Sequence, residues 1–252
     1  MPDSAVLPTR RDEVWRYADI DALQRLGVEA LDNWAEHAIA AGETWRRAIV
    51  VGADAPELHR FRLKLGEGAR AELFVSNIGA DYTRLEVEVT LARGAHFEFG
   101  GVTIGGGDAV REFVTTTIHA EPQATSNQTI RSVHWGTGSG NFLGEIKVVK
   151  DAQKTDAAQD FKGLLLESGA SANAVPQLEI FADDVKCAHG ATVGQLDEAA
   201  RFYMEARGLS PATAQRLLVQ AFLGDAFVNL QDEEKREELL EAALSVLEGI
   251  HL

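Results

Sequence analysis

The sequence predicts a mainly β core flanked by α-helices, and three observations carry that prediction. Between about Arg46 and Cys187 the apolar residues recur every second position, in ten or more short runs with no helical stretch between them. The segments joining these runs are rich in Gly, Asn, Asp and Ser, residues that suit tight turns. Past Gly194 the apolar period changes to that of a helix and stays so. On residues alone, two β architectures suit the pattern: a sandwich or barrel, and a parallel β-helix whose rungs stack apolar residues in the interior.

In chain order, residues 1–45 read as a helical segment with breaks. Thr9 to Leu26 places Val14, Tyr17, Ile20 or Ala22, and Leu26 roughly on one side and stops at Gly27, and the alanine-rich stretch Leu31 to Ala41 suggests a second short helix. The core spans 46–194. Its clearest strand is Arg84 to Leu91, with Leu85, Val87, Val89 and Leu91 on one face and Glu86 and Glu88 on the other. Further strands are expected at 60–65, 71–75, 96–104, 111–118, 128–133, 141–149, 161–166, 177–181 and 184–187. Small residues such as Thr115 to Thr117 and Ala157-Ala158 would let the chain turn corners.

Residues 195–252 form a C-terminal helical domain. Asp197 to Arg207 presents Ala199, Phe202, Tyr203 and Ala206 on one side, then meets Gly208. Ser210-Pro211 supplies an N-cap and a first-turn proline for a helix with Ala214, Leu217, Leu218, Ala221, Phe222 and Phe227 on its apolar face. Asp232-Glu233-Glu234 opens a third helix, striped by Leu239, Leu240, Ala243, Val246 and Leu247.

Composition removes several function classes. A formal charge of −15 repels phosphate backbones, so nucleic acid is not expected as a partner. No run of eighteen apolar residues occurs and the N-terminus lacks the apolar stretch of a signal peptide, so a cytoplasmic location without membrane contact is expected. Gly105 to Gly107 is not followed by the lysine and helix of a phosphate loop, and Gly136 to Gly140 has the wrong spacing for a serine-nucleophile elbow. His119 and His134 lie in the strand region without a carboxylate motif that would make either part of a triad.

One cysteine excludes an internal disulfide and any cysteine-rich metal site made by this chain alone. Cys187 and His189, two residues apart on an extended segment, leave the same face and could share a metal or an interface. Against this, a lone strand cysteine behaves as a small hydrophobe and a lone histidine as a hydrogen-bonded structural residue. Two ligands cannot complete a tetrahedral site, so a metal at Cys187 and His189 would need further ligands from another chain. Asp183-Asp184 reads as a solvated turn.

The segment PQLEIFADDVKCAHGATVGQLDE, followed by ARFYMEARGLS and AQRLLVQAF, resembles the SufD branch of the SufB/SufD family, subunits of the SUF iron–sulfur cluster assembly machinery. LPTRRDEVWRYADIDAL, His119-Ala-Glu-Pro122 with Ser126, and NFLGEIKVVKDAQKTDAAQ agree with it. The SufB branch has a His-Glu pair where this chain has Cys187-Ala-His189-Gly190, and it carries an upstream cysteine that is missing before Cys187. The resemblance implies a right-handed parallel β-helix with a small C-terminal helical domain. It implies a non-ATPase scaffold that pairs edge to edge with SufB and docks the ATPase SufC on its helices, around Leu209 to Leu230. His189 and Cys187 would lie at the SufB interface where a transient iron–sulfur cluster forms. No cofactor is expected to bind this chain tightly by itself. The complex would admit reduced flavin, and the isolated chain is expected to form a homodimer through its uncovered edge. Family members are commonly longer than this chain.

Overall fold

The computed structural model describes residues 7–79 and 81–247. Expectations that reach residues 1–6 or 248–252 fall outside it. Twelve strands make two parallel six-stranded sheets. One sheet holds β1 (Trp34–Ile39), β3 (Glu57–Leu65), β5 (Tyr82–Leu91), β7 (Val110–His119), β9 (Ser139–Val148) and β11 (Ser171–Ile180), in that spatial order. The other holds β2 (Thr44–Val51), β4 (Arg70–Asn77), β6 (His96–Gly105), β8 (Thr125–His134), β10 (Asp156–Leu165) and β12 (Lys186–Gln195). Successive strands thus alternate between sheets, and each strand hydrogen-bonds to the strand two further on. This is a β-solenoid, which decides between the two architectures the strand pattern left open.

The repeat starts at 26 residues, the separation of Arg62 from Glu36 and from Glu88, and lengthens to 29 between His96 and Thr125. The interior is a column of stacked apolar side chains. Leu63, Leu85, Phe97, Phe99, Phe113, Phe142 and Phe161 are all essentially inaccessible. Phe99 meets Phe113 edge-on at 5.3 Å, and Phe142 stacks on Phe161 at 5.9 Å. Thr115 to Thr117 and Ala157-Ala158 sit within strands β7 and β10 instead of at corners. Of these, Thr115, Thr117 and Ala157 are buried.

The strands begin earlier than the sequence suggests. Leu31 to Ala41 is not a second helix, because Trp34 to Ile39 pairs along its whole length with Arg60 to Leu65. Alanine's helix preference is weak, and a neighbouring strand that satisfies every backbone group overrides it. Thr9 to Leu26 is divided: Glu13 to Trp15 form one short 3₁₀ turn, and α1 (Ile20–Leu26) starts afresh at Asp19, whose carboxylate accepts from the Ala22 N–H at 3.0 Å. This segment lies on the outer face of the β1-to-β11 sheet. There Trp15, Ala18, Ala22 and Leu23 pack with Tyr82, and the Trp15 ring stacks 3.8 Å from the guanidinium of Arg84. Arg84 is fully buried and pairs with Glu86 and, at 3.1 Å, with Glu112. Glu86, on the strand face opposite Leu85 and Val87, is therefore buried beneath the N-terminal segment.

The C-terminal helices α2 (Glu198–Ala206), α3 (Pro211–Gly224) and α4 (Glu233–Ser245) follow β12 after two residues. α3 and α4 double back over the outer face of the other sheet instead of staying at its last rungs. Val219, Leu223, Phe227, Leu239 and Leu244 cover Phe74, Val102, Ile104 and Val133 there. The buried face of α3 is turned in part from the one expected: Ala214 is buried as predicted, but Val219 and Leu223 are buried in place of Leu217, which is exposed. The strand residues beneath, not the helix periodicity alone, choose which side is covered. Polar ties hold the same contact. Ser76 Oγ donates to the Leu239 carbonyl at 2.7 Å, and Asn229 donates to Glu98 at 2.9 Å. Arg131 binds Asp225 at the end of α3, with Nε at 2.9 Å, and also Asp160 of β10. Among the described residues no helix is long and apolar enough to cross a membrane.

Candidate functional site

The solenoid ends at β11 and β12, and each has a strand on one side only. The last rung leaves two edges and the end of the interior uncovered. Pro176 lies in β11, where its missing N–H is tolerated because the strand is an edge. β12 carries no proline and is exposed along nearly its whole length.

β12 presents Cys187 and His189 to one side. Its register fixes which side: Cys187 pairs with Ala157, His189 with Gln159 and Ala191 with Phe161. Ala157, Gln159 and Phe161 are buried inward-facing residues of β10, so Cys187 and His189 point toward the solenoid axis at its open end. The two differ in surroundings. Cys187 is half-buried beside Ile146, Val148, Ala157, Leu178 and Val185, and burial, then the negative charge of Asp156, pushes its thiol up from the usual range. His189 is exposed. Among the described residues, no group of three His, Cys, Asp or Glu side chains is placed to hold a metal ion.

The remaining candidates are structural in their surroundings. His119 is buried and its Nε2 lies 3.0 Å from Ser126 Oγ, which joins two residues of one sequence segment. His134 is buried with Nε2 3.3 Å from Thr103 Oγ1. Burial holds His119 down at about 4; burial, then the nearby Arg111 charge, holds His134 at about 3. Both are neutral at neutral pH. Asp183 accepts from Gln153 at 2.8 Å and Asp184 pairs with Lys154, in an exposed turn.

Two features were not visible in the sequence. Gln159, directly beneath His189 in the stack, is a glutamine buried inside a solenoid, and periodicity gave no reason to single it out. The other is the outer face of α2. Nothing in α2 is buried, and Phe202 and Tyr203 are 72% and 60% exposed, although their spacing predicts a covered face. Phe181, Val193 and Val228 are exposed as well.

A model of the SUF system FeS cluster assembly, SufBD core domain, matches residues 34–222, from the first strand to the end of α3. The chain belongs to the SufBD family. A SufBD family protein of Synechocystis is 35% identical over 161 residues, covering 64% of this chain and 36% of its own. The iron–sulfur cluster assembly protein SufD of Escherichia coli is 37% identical over 122 residues, 48% of this chain and 29% of that one. A SufBD family protein of Mycobacterium tuberculosis is 25% identical over 246 residues, 92% of this chain and 58% of that one. The chain thus spans well under two-thirds of the length of these relatives. The matched segment contains the whole solenoid of this chain and with it Cys187 and His189.

Proposed function

We propose that this chain is a SufD-type scaffold subunit, without ATPase or other catalytic activity of its own, that supports iron–sulfur cluster assembly in a complex with SufB and SufC. The observation that carries the reading is the half-built site at the open end. His189 and Cys187 point inward from an uncovered edge strand, and among the described residues no third ligand stands beside them. A partner strand docked on that edge would satisfy its free backbone groups and bring the missing donors. The nascent cluster is the cargo of this interface. His189 is the better ligand or proton-handling group, since it is exposed and an imidazole suits both roles. For Cys187 the half-buried apolar surroundings favour packing of the seam over ligation.

The exposed aromatic face of α2, with the neighbouring helices, is the surface proposed for SufC. Two residues separate β12 from α2, so displacement of α2 by an ATP-driven partner would pull on the strand that carries His189. In the absence of partners, the uncovered rung would pair with a second copy of itself.

Expression beside SufB and SufC tests the reading. A stable ternary complex is expected, and His189→Ala should leave it intact while slowing cluster assembly in cells that depend on the SUF system. Failure of the three chains to copurify, or wild-type assembly with His189→Ala, would overturn it.

A further inference from the structure

The first rung leaves an uncovered end as the last one does. Among the described residues β1 and β2 each have a strand on one side only. Ala35 of β1 and Arg47 of β2 pair with the core residues Phe61 and Leu73, yet both are exposed. Parallel strands of one winding therefore give the molecule two ends with matching backbones. The first rung of one copy could stack on the last rung of another, a head-to-tail contact that does not close and grows into a filament. Side chains must decide whether it does.

Register shows which side chain stands in the way. Arg47 pairs with Leu73, Leu73 with Phe99, Phe99 with Gln128, Gln128 with Gln159 and Gln159 with His189. One inward-facing column thus runs from Arg47 at the first end to His189 at the other. Leu73 and Phe99, the first two residues beneath Arg47, are fully buried. Arg46, which alternates to the outer face, binds Glu72 at 2.8 Å, whereas Arg47 makes no ion pair among the described residues. Trp45, inward like Arg47, packs on the His37 ring with centroids 5.2 Å apart. The mouth of the first rung therefore holds a free cation beside an aromatic pair. The inward positions of the last rung, from Ala174 and Leu178 of β11 to Cys187, His189, Ala191 and Val193 of β12, hold no arginine, lysine or carboxylate.

We propose that Arg47 closes the first-rung end to strand addition, so that this chain takes a partner strand at its last rung alone. In a head-to-tail stack Arg47 would lie over His189 of the next copy, about 4.8 Å away across the new strand pair. Neither rung offers an inward carboxylate to receive it. A guanidinium taken out of water without a partner opposes the contact. Inward-pointing charge is one of the means by which an edge strand refuses a neighbour. The inference goes beyond the scaffold role and is independent of which protein covers the last rung.

Sedimentation velocity of the full chain over a concentration series, with electron micrographs of the same samples, tests the assignment. The wild type and Arg47→Lys should remain finite species, monomer or dimer. Arg47→Leu continues the column begun by Leu73 and should strengthen end-to-end association by about a hundredfold or more. Its mean mass should rise with concentration, and filaments should appear. Adding Ala191→Lys to Arg47→Leu places a charge on the inward face of the last rung and should restore finite species. If the leucine variant fails to fold by circular dichroism, Arg47→Met takes its place. A folded neutral variant with the wild-type mass distribution would overturn the proposal, as would filaments of the wild type or of Arg47→Lys. Growth that persists with Ala191→Lys would overturn it too, because the contact would then not involve the last rung.

Discussion

Replacing Arg131 with Met should loosen the joint between the C-terminal helices and the solenoid. The guanidinium is 2% exposed, and its N–H groups are all committed. Nε and one terminal nitrogen bind the Asp225 carboxylate, the same nitrogen binds that of Asp160, and the other terminal nitrogen donates to the carbonyls of Ile130 and Asp160, at 2.8 and 3.1 Å. Breaking a fully buried pair costs about 3–5 kcal/mol. Here the Asp160 and Asp225 side chains are 42% and 51% exposed, so water can take over much of their solvation when the cation is gone. That discount brings the expected loss to about 2–3 kcal/mol. In a chain of this size it lowers Tm by roughly 5–10 °C. Asp225→Asn, which leaves the tie to Asp160, should cost about 1 kcal/mol, and the double-mutant cycle between positions 131 and 225 should show a coupling of about 1 kcal/mol. Urea unfolding at neutral pH measures all four corners. Hydrogen exchange should place the loss at Asp225 to Leu230 and in β8 and β10. Coupling below about 0.3 kcal/mol would refute the argument that this ion cluster, and not the apolar contact alone, joins helices to sheet.

Three further outcomes follow from particular contacts. His119 and His134 bind protons more weakly folded, at about 4 and about 3, than in an unfolded chain. The unfolded state therefore takes up more protons as pH falls, so stability is complete above about pH 6.5 and declines below it, by roughly 2 kcal/mol for each histidine at pH 5. Urea midpoints at the two pH values measure the decline, and His134→Gln should remove about half of it. Gly100→Ala would put a methyl 2.1 Å from the Ala226 carbonyl and 2.5 Å from the Phe74 ring, costing about 1–3 kcal/mol and raising protease sensitivity of the C-terminal helices. Cys187→Ala should cost about 1 kcal/mol or less and preserve the fold, while alkylation of the wild-type thiol by iodoacetamide should be slow until the chain is unfolded, because burial holds the thiol protonated.

Alternation and turn chemistry alone marked the interior strands, since each repeat exposes a two-residue period that does not depend on which strand lies next to it. Leu85, Val87, Val89 and Leu91 are buried as their spacing predicts. The spacing of Cys187 and His189 placed them on one face, and the cysteine count excluded a cysteine-rich metal site made by this chain alone. The SufBD signature was likewise legible, because it is a matter of residue order. What the sequence could not decide is what lies against what. Trp34 to Ile39 became a strand because β3 supplies its backbone partners. Val219 and Leu223 were buried instead of Leu217 because the sheet beneath α3 chose the face. Glu86 was covered because the N-terminal segment folds over it. Gln159 was unremarkable until register set it between Gln128 and His189, 31 and 30 residues away in the chain, neighbours that only the winding of the solenoid brings together. Local periodicity reports whether a residue is covered. The identity of the cover is a property of long-range pairing, and only the tertiary structure supplies it.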